Sequence, residues 1–89
     1  MKIKLELFGA SRDFSHKDHL EIEVQDKATI DDLRNEIIKY LDKNFQGNES
    51  FVKVVKSSAF CSENNEIISD NYKITKDQKI GIIPPIGGG

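Results

Sequence analysis

The residues with the most chemical promise in this chain are its last six, Pro84-Pro85-Ile86-Gly87-Gly88-Gly89. Two prolines with fixed φ are followed by three residues without a Cβ, so a stiff exit leads into a thread thin enough for a channel that would reject side chains. A carboxylate on glycine is unhindered, and another enzyme can activate it. Gly89 is therefore expected to bear the reacting group, Gly88 and Gly87 to give clearance, and Pro84 and Pro85 to fix the direction of exit. The plain alternative is a frayed end of the kind common at termini. The other reactive side chains form no recognisable constellation. His16 and His19 flank Asp18 in a polar run that reads as a turn, and with Cys61 they would make a metal site on paper only, because no Cys-x-x-Cys or helical ligand pair accompanies them. Cys61 reads as a buried small hydrophobe, since nothing near it in sequence would lower a thiol pKa. Gly-rich phosphate loops, Gly-x-Ser-x-Gly and His-Glu-x-x-His are absent from the sequence.

These residues must be positioned by few elements. Lys2-Ile3-Lys4-Leu5-Glu6-Leu7 alternates, with Ile3, Leu5 and Leu7 on one face, and alternation resumes at Leu20-Glu21-Ile22-Glu23-Val24. The pair predicts an antiparallel hairpin. From Thr29 the period changes: Ile30, Leu33, Ile37 and Leu41 draw one apolar stripe along a helix that starts at a Thr29 cap with Asp32 three residues on and ends by about Phe45. Phe51-Val52-Lys53-Val54-Val55 is rich in β-branched residues and is expected to be a third strand. Shorter strands are expected at Ala59-Phe60-Cys61 and Ile67-Ile68, and a last one at Lys79-Ile80-Gly81-Ile82-Ile83, stopped by the diproline. One main helix across one mixed sheet is the economical α+β arrangement for so short a chain. With the first and last strands parallel neighbours, Phe8 and Ile83 fall together on the outer side, beside the departing tail.

Composition narrows the partners. Eighty-nine residues hold one small domain. Fifteen acidic against thirteen basic side chains leave a net charge of −2, which removes the electrostatic motive for nucleic-acid or membrane-surface binding. No apolar run approaches the ~20 residues of a bilayer span, and the charged start, Met-Lys-Ile-Lys-Leu-Glu, does not read as a signal peptide. A single cysteine points to the cytoplasm as compartment and excludes an iron–sulfur centre held by this chain alone.

The ending resembles that of the small subunit of molybdopterin synthase, a ubiquitin-like β-grasp sulfur carrier whose last strand runs into Pro-Pro, two variable residues and Gly-Gly. Here these are Pro84-Pro85, Ile86-Gly87 and Gly88-Gly89. Leu7-Phe8-Gly9-Ala10-Ser11-Arg12-Asp13 and Thr29-Ile30-Asp31-Asp32-Leu33 are similar to the family's first strand with its basic–acidic pair and to its helix opening. Two features differ: Lys76-Asp77-Gln78-Lys79 replaces a turn of the Asp-Gly-Asp-Glu type, and Ile82-Ile83 replaces an aromatic pair.

The resemblance implies a β-grasp domain over residues 1–83, with four to five strands, and a flexible tail over 84–89. It implies that an adenylating enzyme of the ubiquitin-activating type uses ATP to convert the Gly89 carboxylate into an acyl-adenylate, and that sulfur from a persulfide donor displaces AMP to leave a thiocarboxylate. The tail, with Pro84, Pro85, Ile86, Gly87 and Gly88, then enters a pocket of the large subunit, in a heterotetramer, and gives its sulfur to a pterin precursor. Phe8 and Ile83 are the expected docking residues. No cofactor or metal is expected on this chain, which is a non-catalytic, sulfur-donating subunit on this reading. The rival readings are a carrier for thiamin synthesis or tRNA thiolation, a modifier joined to target lysines, and a passive β-grasp binding module.

Overall fold

A computed structural model describes residues 1–85 of the chain. The first strand, β1 (Lys2–Leu7), is followed by a short 3-10 helix (Gly9–Phe14), β2 (His19–Glu23), the two-residue β3 (Ala28–Thr29), the long helix α1 (Ile30–Phe45) and a second helix α2 (Glu49–Ser57). Short strands β4 (Ala59–Cys61), β5 (Ile67–Ile68) and β6 (Lys73–Ile74) lead to β7 (Gln78–Ile83). Five strands form one mixed sheet in the order β2-β1-β7-β4-β5, and β3 pairs with β6 in a separate two-stranded ribbon. β1 and β2 are antiparallel, whereas β1 and β7 are parallel and central, with Leu5 beside Ile80 and Leu7 beside Ile82.

Alternation explains which side of the sheet is buried. Ile3, Leu5, Leu7, Leu20, Ile22, Ile80, Ile82 and Phe60 turn to one face and meet Ile30, Leu33, Ile37 and Leu41 of α1, the stripe expected from the sequence. The start of α1 is a complete capping box. Thr29 Oγ1 accepts the Asp32 N–H at 3.1 Å, and the Asp32 carboxylate accepts the Thr29 N–H at 2.9 Å. Gln46, at φ +54°, closes the helix in the left-handed region one residue after Phe45.

The expected strand at 51–55 is instead part of α2. Asn48 caps this helix, its Oδ1 accepting the Phe51 N–H at 3.2 Å. Phe51, Val54 and Val55 are spaced for one helical face; Val55 is fully buried, and Phe51 packs against Phe14 and Phe45 with both ring centroids 5.1 Å away. Burial of that stripe outweighs the strand preference of its valines, which is the weaker of the two influences. The remaining differences are small. The main sheet and main helix agree with the expectation; β3, β6 and α2 are additions to it.

Candidate functional site

The site is built where β7 leaves the sheet. β7 passes between β1 and β4, so its end is flanked on one side by Phe8 and on the other by Ala59, which faces Ile83. Pro84 is buried, with its ring 3.9 Å from the point where a Cβ on Gly9 would lie, and Gly9 itself has φ +55°. Glycine suits the left-handed backbone here, and the Pro84 ring lies at ordinary contact distance. Pro85 is already exposed. The body thus packs one residue past Ile83. The expected reactive residues Gly87, Gly88 and Gly89, together with Ile86, lie outside the described residues.

Register defines the outer face. One row across all five strands reads Ile67, Cys61, Gly81, Glu6, His19. Its apolar half meets Phe8: a Cβ on Gly81 would stand 2.9 Å from Phe8 Cε2 and 2.8 Å from Cys61 Sγ, so the bare backbone of Gly81 is roofed by that ring and that thiol. Phe8 keeps 41% of its surface exposed and Ile67 66%, the two exposed large hydrophobic residues among the described ones. With half-buried Ile83 and exposed Ala59 they make an apolar patch around the exit of the tail. Phe8 is fixed from behind by Ser11, which is fully buried. Its hydroxyl accepts the Phe8 N–H at 2.9 Å and donates to the Phe8 carbonyl at 2.7 Å.

The other half of the row is charged. Lys79 Nζ lies 3.0 Å from a Glu6 oxygen, and the Lys79 N–H donates to Glu63 at 2.9 Å. The hydrogen bond and charge of Glu6 raise the Lys79 pKa above its ordinary value. Asp77, in the segment that replaces the expected glycine turn, accepts the Lys2 N–H at 2.9 Å and so ties the start of β7 to β1.

The structure sets Phe8 beside Ile83, next to the buried Pro84, and separates the paper metal ligands. Cys61 sits on β4 and His19 on β2, with β7 and β1 between them, about 14 Å across the sheet. His16 is exposed, and His19, which opens β2 and is half-buried, holds Asp18 at 3.0 Å and thereby lowers the Asp18 pKa. Among the described residues no cluster of His, Cys, Asp and Glu is placed to hold a metal ion. Cys61 is buried, as read from the sequence. No helix among the described residues is long and apolar enough to cross a membrane.

Sequence reasoning missed Ile67, Ser11 and Gly81. Ser11 carried a weak signal, a serine three residues after Phe8 at a strand's end. Alternation along β7 turns Gly81 outward with Ile83, but its contact with Cys61 and the place of Ile67 in the patch depend on the pairing of β4 with β5 and β7.

The ThiS family model matches residues 5–89. No curated protein matches the chain. Among solved structures, it is similar to a protein described as molybdopterin converting factor, subunit 1, from Pyrococcus furiosus, at 24% identity and a TM-score of 0.69 over 96% of this chain and 98% of that one. SAMP1 from Haloferax volcanii gives 15% identity and 0.68, with both chains fully covered. The ubiquitin of Caldiarchaeum subterraneum gives 18% and 0.61 over 100% of this chain and 98% of that one. The fold is therefore the ubiquitin-like β-grasp.

Proposed function

The chain belongs to the ThiS family, and from that membership we propose that it is a sulfur carrier, the small subunit of a molybdopterin synthase. In this reading residues 1–83 are the β-grasp domain and 84–89 the working tail, whose first residue, Pro84, is still packed on the body. The Gly89 carboxylate attacks the α-phosphate of ATP on a partner adenylating enzyme, pyrophosphate leaves, and an acyl-adenylate forms. The terminal sulfur of a persulfide donor attacks the acyl carbon and AMP departs. A second thiol cleaves the remaining S–S bond, leaving a C-terminal thiocarboxylate. That group is a soft nucleophile which the large subunit directs at a pterin precursor, while this chain supplies positioning and sulfur.

The observation that supports this reading is the apolar patch of Phe8, Ile67 and Ile83 around the exit of β7, which offers a partner a surface continuous with the tail. The Pro84-Pro85 step favours the molybdopterin route over thiamin synthesis or tRNA thiolation. A modifier is the second reading, favoured by the likeness to SAMP1 and to an archaeal ubiquitin.

The test is the intact mass of the protein produced together with its adenylating enzyme. A carrier gains the mass difference of one sulfur replacing one oxygen, and the form lacking Gly89 gains nothing while melting at the same temperature. A mass unchanged in the full chain, or a gain in the truncated one, defeats the reading. Conjugates to other proteins in a lysate, without thiocarboxylate, favour the modifier.

A further inference from the structure

β2 is an edge strand whose outer side is open. Met1 and Val24 exchange two backbone bonds, Met1 N to Val24 O at 2.7 Å and Val24 N to Met1 O at 2.9 Å, and Leu7 N donates to Asp18 O at 2.9 Å. Antiparallel pairing alternates, so Leu20 and Ile22 also turn their backbone groups to β1, and the N–H and C=O groups of His19, Glu21 and Glu23 point away from the sheet. Among the described residues none of those outward groups has a partner. Five residues without proline, glycine or a bulge give about 17 Å of unpaired edge.

A groove of about 660 Å³ opens where β2 ends, between the β2–β3 connection and α1. Val24, Ala28 and half-buried Ile38 supply its apolar part, and Asp26, Asp32 and Glu36 outnumber Lys27 and Lys39 in its lining. Lys39 is also engaged, 3.5 Å from Glu36. On the outer face of the edge stand Glu21, which forms no ion pair among the described residues, and Glu23, 4.0 Å from the Met1 amino nitrogen.

We propose that the open edge of β2 and the groove at its end dock an extended segment of a partner protein in which basic side chains alternate with apolar ones. The chain already shows what pairs with this strand. β1 sets Lys4 opposite Glu21 and Lys2 opposite Glu23 while turning Ile3 and Leu5 to the core, and a strand of the same pattern on the other edge would meet the same glutamates and the apolar floor at Ile38. A second copy is disfavoured. Antiparallel β2–β2 pairing would bring glutamates against glutamates, a like-charge arrangement that destabilises strand pairs. The open edge of β2 lies two strands from β7, from which the tail leaves, and the site stands whether or not the chain carries sulfur.

The test uses the full chain, isotopically labelled, titrated with a synthetic peptide alternating lysine and isoleucine and with a scrambled peptide of the same composition. The expected result is slowed amide exchange at His19, Glu21 and Glu23 with the alternating peptide alone. Charge reversal by Glu21→Lys with Glu23→Lys should weaken binding about tenfold. Glu21→Pro, which removes an outward N–H and no bond to β1, should abolish it while the signals of Leu20 and Ile22 stay in place. Equal binding of the scrambled peptide, protection elsewhere on the surface, no binding, or protection of β2 that rises with protein concentration in the absence of peptide would each overturn the proposal.

Discussion

Phe8 and Gly81 share one space: the ring of Phe8 lies where a side chain on Gly81 would have to stand, 2.9 Å from a Cβ placed there. Two adjacent parallel strands achieve this because one of them forgoes a side chain. The other wall of the space, Cys61 Sγ, is 2.8 Å from the same point and is buried. An alanine at position 81 therefore meets one neighbour that swings outward and one that cannot. Gly81→Ala is expected to cost about 1–3 kcal/mol by overpacking, lowering Tm by about 5–15 °C. Adding Cys61→Ala removes the immovable atom, and the double variant should regain much of that loss in a thermal melt. Two losses that simply add would show that the thiol is not the obstacle.

The apolar patch predicts a separation between stability and docking. Phe8 and Ile67 are exposed, so Phe8→Asp and Ile67→Asp should leave the melting temperature within a few degrees of wild type. In calorimetry against the partner that binds the tail, Phe8→Asp is expected to cost about 2 kcal/mol, roughly thirtyfold in Kd, as a central aromatic anchor does. Ile67→Asp should cost less, because it lies two strands out from β7. Unchanged affinity for both would place the docking surface elsewhere.

Most of the main layer was legible from the sequence because its periods are unbroken. Ile3, Leu5 and Leu7 alternate, and Ile30, Leu33, Ile37 and Leu41 step by threes and fours, so strand, helix and buried face follow from residue types alone. The parallel pairing of β1 with β7 sets Phe8 beside Ile83, as alternation along the two strands requires. Between 46 and 74 the short strands at Ala59–Cys61 and Ile67–Ile68 fall where the sequence placed them, but α2, β6 and the side to which Ile67 faces were not legible, for two reasons. Valines at 52, 54 and 55 speak for a strand while the spacing of Phe51, Val54 and Val55 suits a helix, and only Phe14 and Phe45, brought close by the fold, decide between them. Strands of two or three residues such as β5 and β6 carry no period at all, so the exposure of Ile67 on the docking side was invisible.

The ion pair of Lys79 with Glu6 predicts an alkaline limit. Glu6 raises the Lys79 pKa above its ordinary value of 10.5 in the folded state. The folded protein thus holds the proton more tightly than the unfolded chain does. The resulting stabilisation is complete below pH 10.5 and is lost as pH climbs through the raised folded value. Lys79→Met should therefore flatten the fall in Tm between pH 10 and 12 relative to wild type, roughly the range in which an ordinary or raised lysine titrates. Both partners are solvent-accessible, so the difference should shrink in high salt. Parallel pH profiles for the two proteins would remove Glu6 as the cause.

Arg34 joins segments that no local pattern connects. Its guanidinium, 12% exposed, donates to the carbonyls of Val55 at 2.7 Å and Ser58 at 2.9 Å and to the Asp70 carboxylate at 2.7 Å, and it stacks 4.9 Å from the centroid of the Phe60 ring. One residue of α1 thereby satisfies the C-terminal end of α2, orients the entry to β4 and anchors the loop before β6. Replacing it with leucine keeps the contact with Phe60 but leaves two part-buried carbonyls unpaired, while the exposed Asp70 carboxylate turns to water, and a loss of about 1–3 kcal/mol is expected, roughly 5–15 °C in Tm. Arg34→Lys keeps the charge and loses the fork, so it should recover less than half of that loss. Full recovery by lysine would mean that charge alone, and not the planar geometry, holds these three segments together.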